Sequence, residues 1–518
     1  VRSHVTRREL IQAAVLFVVA AALRAWLSAR YFGWEEGDYG NVMHIREVLD
    51  SGFSWFRPAH MPGWYVLAAV LSLGLPTLRL AGLVLTLVAS AASVAGAAWA
   101  TRRLVGAQAA WLVGAWLAVQ PEMFLYGSST LRSPVYTALA VGSFCAFLAG
   151  RERSGIVLVA VAFLVRMEAF FAFFGPAAWS VLRGARRPGA VLAAAGALLG
   201  VVAAWQLYVT VGQDEGVFFL GPMGINTAGS TVEEEPFQFG PWLNEGLHTS
   251  WWFVSWLLPR KLGWTWMLLA AGGAVRLWRD GGPGRQAVVW AAFPLLFWLG
   301  EGLLSQQDPN HNLYWVWMLP IVPFLGVLAG AGYAAVDERL RDLPRLVRRV
   351  VFGAVLLSAL PSFHAEGSYQ MDRADRWYRP QLEVSRWLEE SAAKGSGVLV
   401  SSIPEVWLKR KPNDLRVHAW WLLPGHLDGE SPEEFATFLN TERIDYVLWF
   451  AEEWTDSNRI APWLRTDEPM QVGPVGLSPV DREPGYGWIL YVVTRPGAPV
   501  PAIPPPFGQG APGRGWAP

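Results

Sequence analysis

Trp34-Glu35-Glu36-Gly37-Asp38-Tyr39-Gly40 follows directly on a long apolar run, and some twenty residues later the chain reads His60-Met61-Pro62-Gly63-Trp64-Tyr65. Glu35, Glu36 and Asp38 are close enough to repel one another, and an acid placed in hydrocarbon costs roughly 2.5–3.5 kcal/mol. They therefore belong at a membrane–water boundary or in a wet cavity. A solvated loop whose acids merely stop a helix is the plain alternative, and the rest of the chain has to decide between them.

Composition points to a membrane protein. Of 518 residues, 53% are hydrophobic and only 16% charged, against about 25% charged in an ordinary soluble protein. Formal net charge is zero, so no basic footprint argues for nucleic acid. The single cysteine, Cys145, lies in an apolar run and excludes an intramolecular disulfide. Thirty Trp residues, many near the ends of apolar runs, fit the aromatic belts of a bilayer. An Arg pair before Leu10 resembles the start of a signal peptide. The run after it lacks a small-residue cleavage site, so it reads as an uncleaved first span.

Apolar runs of spanning length recur as far as residue 363. They are expected at Leu10–Ala29, Leu80–Ala100, Ala107–Phe124, Pro134–Gly150, Ile156–Ala169, Phe170–Leu182, Ala190–Val211, Leu262–Leu277, Ala287–Leu304, Leu313–Ala335 and Val350–Ser362. That makes about eleven transmembrane helices by length. The stretch Trp64–Leu75 is expected as a short helix on the membrane surface. Arginines then test the topology. Arg102 and Arg103, Arg151 and Arg153, Arg183, Arg186 and Arg187 fall in alternate loops, as do Arg276, Arg279 and Arg285, and then Arg339, Arg341, Arg345, Arg348 and Arg349. These loops are expected on the cytoplasmic side. The opposite side receives the loops at about 30–78, 126–133, 212–259 and 305–312, with few basic groups.

Residues 364–495 have soluble composition. Helices are expected at Gln381–Ala393 and, started by Ser431, at Pro432–Asn440. Strands are expected at Gly397–Ser402, Ile444–Phe450 and Trp488–Val493. The fold class is thus a mainly α, polytopic helical bundle (residues 1–363) with a small α/β domain on the outer side. No Gly-rich phosphate loop or nucleophile elbow occurs in that domain, which reads as a structural or acceptor-docking module. Residues 496–518, rich in Pro and Gly, are expected to be disordered. No internal repeat is evident.

On the outer face this topology gathers Glu35, Glu36, Asp38 and His60, then Glu122, Arg132 and Ser133, then Arg166 and Glu168 at a tight bend, and finally Asp308 and His311. A cation beside carboxylates at the water boundary suits chemistry on a lipid phosphate. Phosphate departs as a stable anion, so one carboxylate acting as general base on an acceptor hydroxyl, with a cation steadying the phosphate, suffices. Glycoside hydrolysis normally needs two carboxylates. Each residue also has a plainer reading. Arg166 and Glu168 could form an interfacial ion pair, His60 could start a helix, and Glu233–Glu235 reads as a solvated run. His248, Trp251 and Trp252 read as belt residues or as an acceptor groove. Asp308 and His311 could help hold a divalent ion with Glu36, although no Cys or second His supports a metal site.

Glu-Glu-x-x-Tyr after the first span, His-x-Pro-x-x-Tyr about twenty residues on, and Tyr314-Trp-Val-Trp-Met-Leu-Pro320 together resemble the GT-C glycosyltransferases. The likeness is greatest to the branch of aminoarabinose transferases and protein O-mannosyltransferases, and in layout it covers about residues 8–335. The resemblance implies a general base at Glu35 or Glu36, with Asp38 a close substitute. It implies a phosphate-contacting cation at Arg166. Tyr65, Arg132, Glu168, His60, His311 and Tyr314 are the accompanying candidates for substrate binding. A second acid of the family falls at Ser133, where this chain has none, leaving Glu122, Glu168 or Asp308 to replace it; the second Pro of the family's pair is Gly63.

The implied reaction moves a sugar from a polyprenyl-phosphate carrier to a glycan, lipid or protein acceptor on the extracytoplasmic side, among membrane lipids and without nucleic acid. The competing expectation is a flippase for a lipid-linked sugar or a small-solute transporter. Transporters often carry repeats and broken midplane helices. A third is a scaffold that presents the C-terminal domain.

Overall fold

A computed structural model of the chain describes residues 6–30, 36–54, 61–166, 258–292, 319–373, 387–388, 391–393, 395–400, 415–419, 432–450, 468–483 and 488–504, with the single positions 196, 200, 204, 251, 255 and 295. The chain parts into two compact units. One comprises Val1–Tyr31, His44–Leu73 and Leu80–Gln370; the other comprises Phe32–Met43, Gly74–Arg79 and Met371–Pro518.

The protein is mainly helical. In chain order the helices are α1 (Arg7–Arg30), α2 (Glu36–Asp50), α3 (Gly63–Ser72), α4 (Leu78–Val105), α5 (Ala107–Val119), α6 (Pro121–Tyr126), α7 (Ser133–Leu148) and α8 (Glu152–Val165). After these come α9 (Leu258–Leu262), α10 (Trp264–Asp280), α11 (Ile321–Arg339), α12 (Arg345–Leu357) and α13 (Leu360–Arg373). Among the described residues four helices are long and apolar enough to cross a membrane: Arg7–Ala29, Leu78–Val105, Ile321–Arg339 and Arg345–Ala365. The expected spans Phe170–Leu182 and Ala190–Val211 lie almost wholly outside the described residues, as does most of Ala287–Leu304.

Two expectations change. The segment after α1 is no open loop, because a helix begins at Glu36 within the acidic stretch; the short helix expected at Trp64–Leu75 is present as α3, Gly63–Ser72. The expected span Ala107–Phe124 is broken at Gln120, which is extended, into α5 and α6. Proline is the reason. Pro121 has no N–H to give the carbonyl of Leu117, and it disfavours helical backbone in the residue before it. The side chain of Gln120 caps the new helix by accepting from the Met123 N–H at 2.8 Å.

A single arginine fills the break. Arg24, in the apolar run of α1, is fully buried. Its guanidinium donates to the carbonyls of Ala118 (3.2 Å) and Leu117 (3.4 Å) at the end of α5, and to Met123 (2.9 Å) in α6. It donates further to Ala20 at 3.0 Å and to Ser90 Oγ of α4 at 2.7 Å. The last carbonyls of a helix have no intrahelical partner, and Arg24 supplies what Pro121 cannot. An ionisable residue inside an apolar span is itself a signal, and Arg24 carries it within α1.

At the other end of α1, Glu9 pairs with Arg103 at 3.0 Å and Gln12 meets Arg102. The basic end of α4 therefore lies beside the start of α1, in agreement with the alternation of arginine-rich loops. Helices α10 and α11 approach most closely through glycine. A Cβ added at Gly273 would fall 1.8 Å from the Leu328 carbonyl oxygen, and one at Gly332 would fall 2.0 Å from that of Leu269. Small residues are what allow such contact between helices in lipid.

In the second unit lies a six-stranded mixed sheet: β1 (Gly397–Val400), β2 (Arg416–Ala419), β3 (Ile444–Phe450), β4 (Met470–Val472), β5 (Val475–Glu483) and β6 (Trp488–Thr494), with α14 (Pro432–Thr441) between β2 and β3. Their order is β2-β1-β3-β6-β5-β4. The first three strands are parallel, and the other pairings are antiparallel. Alternate residues of β3 serve two cores. Val447 and Trp449 join Phe435 and Leu439 of α14, whereas Tyr446 and Leu448 pack with Trp488 and Leu490 on the other face. Burial on both faces explains why these strands read as apolar runs. Sequence patterning missed β2, β4 and β5, which are short or interrupted by polar residues; of the expected helix Gln381–Ala393, only 387–388 and 391–393 are described.

Strand β2 carries a pH-sensitive group. Burial lowers the pKa of His418, Glu442 at 4.0 Å raises it, and Arg416 lowers it; the balance is a decrease from the ordinary value of 6.5. A histidine held neutral in the fold but free to protonate in the unfolded chain stabilises above its unfolded pKa, and that contribution is lost as pH falls through 6.5 and below. Amide-exchange protection of β2, corrected for intrinsic rates, is expected to fall between pH 7.5 and 5. His418→Gln should flatten that dependence, and an unchanged slope in the variant would remove His418 as its cause.

Candidate active site

The site is built from the ends of helices. Helices α7 and α8 form a hairpin through Gly150, whose φ of +74° suits glycine. Its inner faces touch closely, and Ser143 donates to the Gly155 carbonyl at 2.7 Å. The hairpin returns the chain to the level at which α7 began. There α8 stops: Val165 is its last residue, and Arg166 is extended at φ −150°, ψ 135°.

Arg166 is 5% exposed, and its Nη1 donates to Oγ of Ser133, the first residue of α7. The start of α3 reaches the same level. A Cβ on Gly63 would lie 2.7 Å from the Leu164 carbonyl oxygen, so only glycine permits this approach. Gly63 is what lets the start of α3 abut the end of α8, next to Arg166.

Beside this junction Arg132 lies over the ring of Tyr65 at 6.0 Å. Tyr65 is buried, edge-on to Trp64 at 5.2 Å and to His44 at 5.1 Å. The segment 127–132 that delivers Arg132 and Ser133 has Ser128, Ser129 and Thr130 fully buried. Irregular backbone survives burial only when its polar groups are satisfied. Ser28 of α1 donates to the Ser128 carbonyl at 2.8 Å, and Thr86 of α4 donates to that of Leu131 at 2.8 Å. The two hydroxyls fasten the segment to two long helices.

Glu122 of α6 and Lys261 of α9 form an ion pair at 2.7 Å, each 1% exposed. Glu122, one of the acids considered as a second site carboxylate, is thus engaged with the residue that closes the long segment 212–259. This pairing joins positions far apart in sequence and left no local pattern.

Of the sequence candidates, the structure describes Tyr65, Arg132 and Arg166 with their side chains and places them around one junction. Glu36 and Asp38 are described only as helical backbone of α2. Glu35, His60, Glu168, Asp308, His311 and Tyr314 lie outside the described residues, as do Glu233–Glu235 and His248. Among the described residues no three His, Cys, Asp or Glu side chains come together as a metal cluster would.

What the junction offers is anion recognition: a held guanidinium, a second guanidinium on an aromatic shelf, and the N-terminal ends of α3 and α7, where backbone N–H groups favour negative charge. The chain's fold, a helical bundle followed by a small mixed sheet, is shared with solved structures. Among solved structures, the chain is similar to ArnT from Cupriavidus metallidurans in the apo state, with a TM-score of 0.60 and 14% identity over 92% of this chain and 97% of that one. It is also similar to the same ArnT bound to undecaprenyl phosphate, with a TM-score of 0.58 and 14% identity over 93% and 97%. No protein-family model and no curated protein matches the sequence.

Proposed function

We propose that the chain is an integral-membrane glycosyltransferase that moves a hexosyl or pentosyl group from a polyprenyl-phosphate carrier to a hydroxyl of a glycan, lipid or protein acceptor. The observation that carries this reading is the buried Arg166, held by Ser133 where the ends of α3, α7 and α8 meet. A likeness in fold to a protein solved with undecaprenyl phosphate supports it.

In the proposed reaction Arg166, with Arg132 beside it, binds the carrier phosphate. One carboxylate among Glu35, Glu36 and Asp38 takes the proton of the acceptor hydroxyl as its oxygen attacks the anomeric carbon. The bond from that carbon to the phosphate oxygen breaks, and the lipid phosphate leaves as an anion. His60, Glu168, His311 and Tyr314 complete the proposed substrate-binding set. The full bundle is proposed to contain about eleven membrane helices, with residues 364–495 outside the cytoplasm. Support for that side comes from Phe32–Met43, the segment with the acids, which belongs to the same compact unit as the C-terminal sheet.

The test is complementation of a deletion strain, read by mass spectrometry of cell-envelope glycans and of the accumulating lipid-linked sugar. Glu35→Gln, Glu36→Gln and Asp38→Asn are introduced singly. At least one is expected to cut transfer by about 100-fold or more, the usual contribution of a general base, with the protein still folded in the membrane. Full activity in all three variants would refute the assignment of the base.

A further inference from the structure

We propose that Ser133 is the positioning residue for Arg166. Its hydroxyl fixes the guanidinium toward a lipid phosphate and, being neutral, adds no negative charge beside it. The inference rests on the reading of Arg166 as the residue that binds the carrier phosphate.

Ser133 is the first helical residue of α7, one position after its N-cap Arg132, and its Oγ accepts from Arg166 Nη1. The hydroxyl is well placed to act as a fixed point. Ser133 is 1% exposed, and the segment before it is tied to α1 and α4 through Ser28 and Thr86.

Arg166, by contrast, stands just past the end of α8 on extended backbone, with several rotatable bonds between its backbone and its charge. The hydrogen bond to Ser133 removes part of that freedom before any ligand arrives, which is how preorganisation raises affinity. A carboxylate at position 133 would hold the arginine equally well but would form an ion pair with it. The incoming phosphate would then have to compete for the same fork of donors. A neutral acceptor orients without competing. The ligand class that suits the arrangement carries its own negative charge, as a phosphate ester of a long isoprenoid does.

The experiment uses the full chain in nanodiscs, with undecaprenyl phosphate and the uncharged undecaprenol as probes and native mass spectrometry as the readout. Wild type is expected to prefer the phosphate, and Arg166→Ala to lose that preference. Ser133→Ala should weaken phosphate binding roughly tenfold, the scale of one hydrogen bond to a charged group, and leave undecaprenol binding unchanged. Ser133→Asp should bind the phosphate more weakly than Ser133→Asn, which matches it in size and keeps a neutral acceptor.

If Arg166→Ala binds both lipids as wild type does, the underlying reading of Arg166 falls. If Arg166→Ala loses the preference but all three Ser133 variants keep it, the positioning role alone is overturned. Equal loss of both lipids in Ser133→Ala, or equal behaviour of the Asp and Asn variants, likewise overturns it and leaves Ser133 as a packing residue.

Discussion

Replacing Arg24 by Met is expected to destabilise the helical unit by roughly 2–6 kcal/mol, the cost of leaving two buried carbonyls without donors at 1–3 kcal/mol each. The two are those of Leu117 and Ala118, which receive Arg24 at 3.4 and 3.2 Å. Leu117 has no backbone donor to fall back on, since the residue four positions on is Pro121. The other acceptors suffer less. Met123 keeps a bond from Ser90 Oγ at 3.0 Å, and Ala20 lies within α1 itself. Methionine nearly matches the length of the arginine stem and removes the cost of burying a charge, so the loss reads the carbonyls rather than a cavity. Lysine in the same place keeps the charge but offers a compact group in place of a planar fork, and should recover part of the loss. Equilibrium unfolding in mixed micelles measures both. A loss below about 1 kcal/mol for Arg24→Met would show that the break between α5 and α6 is satisfied some other way.

The second large effect is expected at Glu122 and Lys261. Breaking a buried pair from one side strands a charge at a cost of about 3–5 kcal/mol, whereas exchanging both partners for apolar residues is often neutral. Glu122→Gln and Lys261→Met should each be strongly destabilising, and Glu122→Leu with Lys261→Met should recover most of the loss. The double-mutant cycle then gives a large coupling. The location gives the pair a wider consequence. Lys261 closes the segment that follows residue 211, and α6 leads directly into the buried stretch that ends at Ser133. Amide-exchange protection of α9 and of residues 127–132 should therefore fall in either single variant. If the double change costs the sum of the two single changes, the two charges are not coupled, and α9 is held by its own buried leucines, Leu258 and Leu262.

Much of the helical layout was legible because one signal dominates it. An apolar run long enough to cross hydrocarbon reads the same whatever its neighbours, so α1, α4, α7 and α10 fall within a few residues of their expected places. The sheet was half legible for a related reason. Strands β1, β3 and β6 are buried on both faces and read as apolar runs, whereas β5, with Pro479, Asp481, Arg482 and Glu483 in it, is recognisable only once its pairing with β6 is known.

The site was legible as residues and not as an arrangement. Arg166 stood out because a guanidinium at the end of an apolar run is costly unless it has a use. Ser133 appeared in the sequence only as a place where an acid was missing, and Gly63 only as a missing proline. Both depend on what sits opposite them: a guanidinium in one case, a helix-end carbonyl in the other. Neither partner is near in the chain.

By itself, then, the sequence determined that this is a membrane-type helical protein with a small α/β unit, where its long helices run, and which polar residues had to be accounted for. Hydrophobic periodicity and length are local quantities, and a chain carries them openly. Only the tertiary structure decided that Arg24 mends the break at Pro121, that Lys261 answers Glu122, and that Ser133 holds Arg166. Each of those is a contact between groups whose separation along the chain says nothing about their separation in space, and a buried polar group is identified only by the partner that satisfies it.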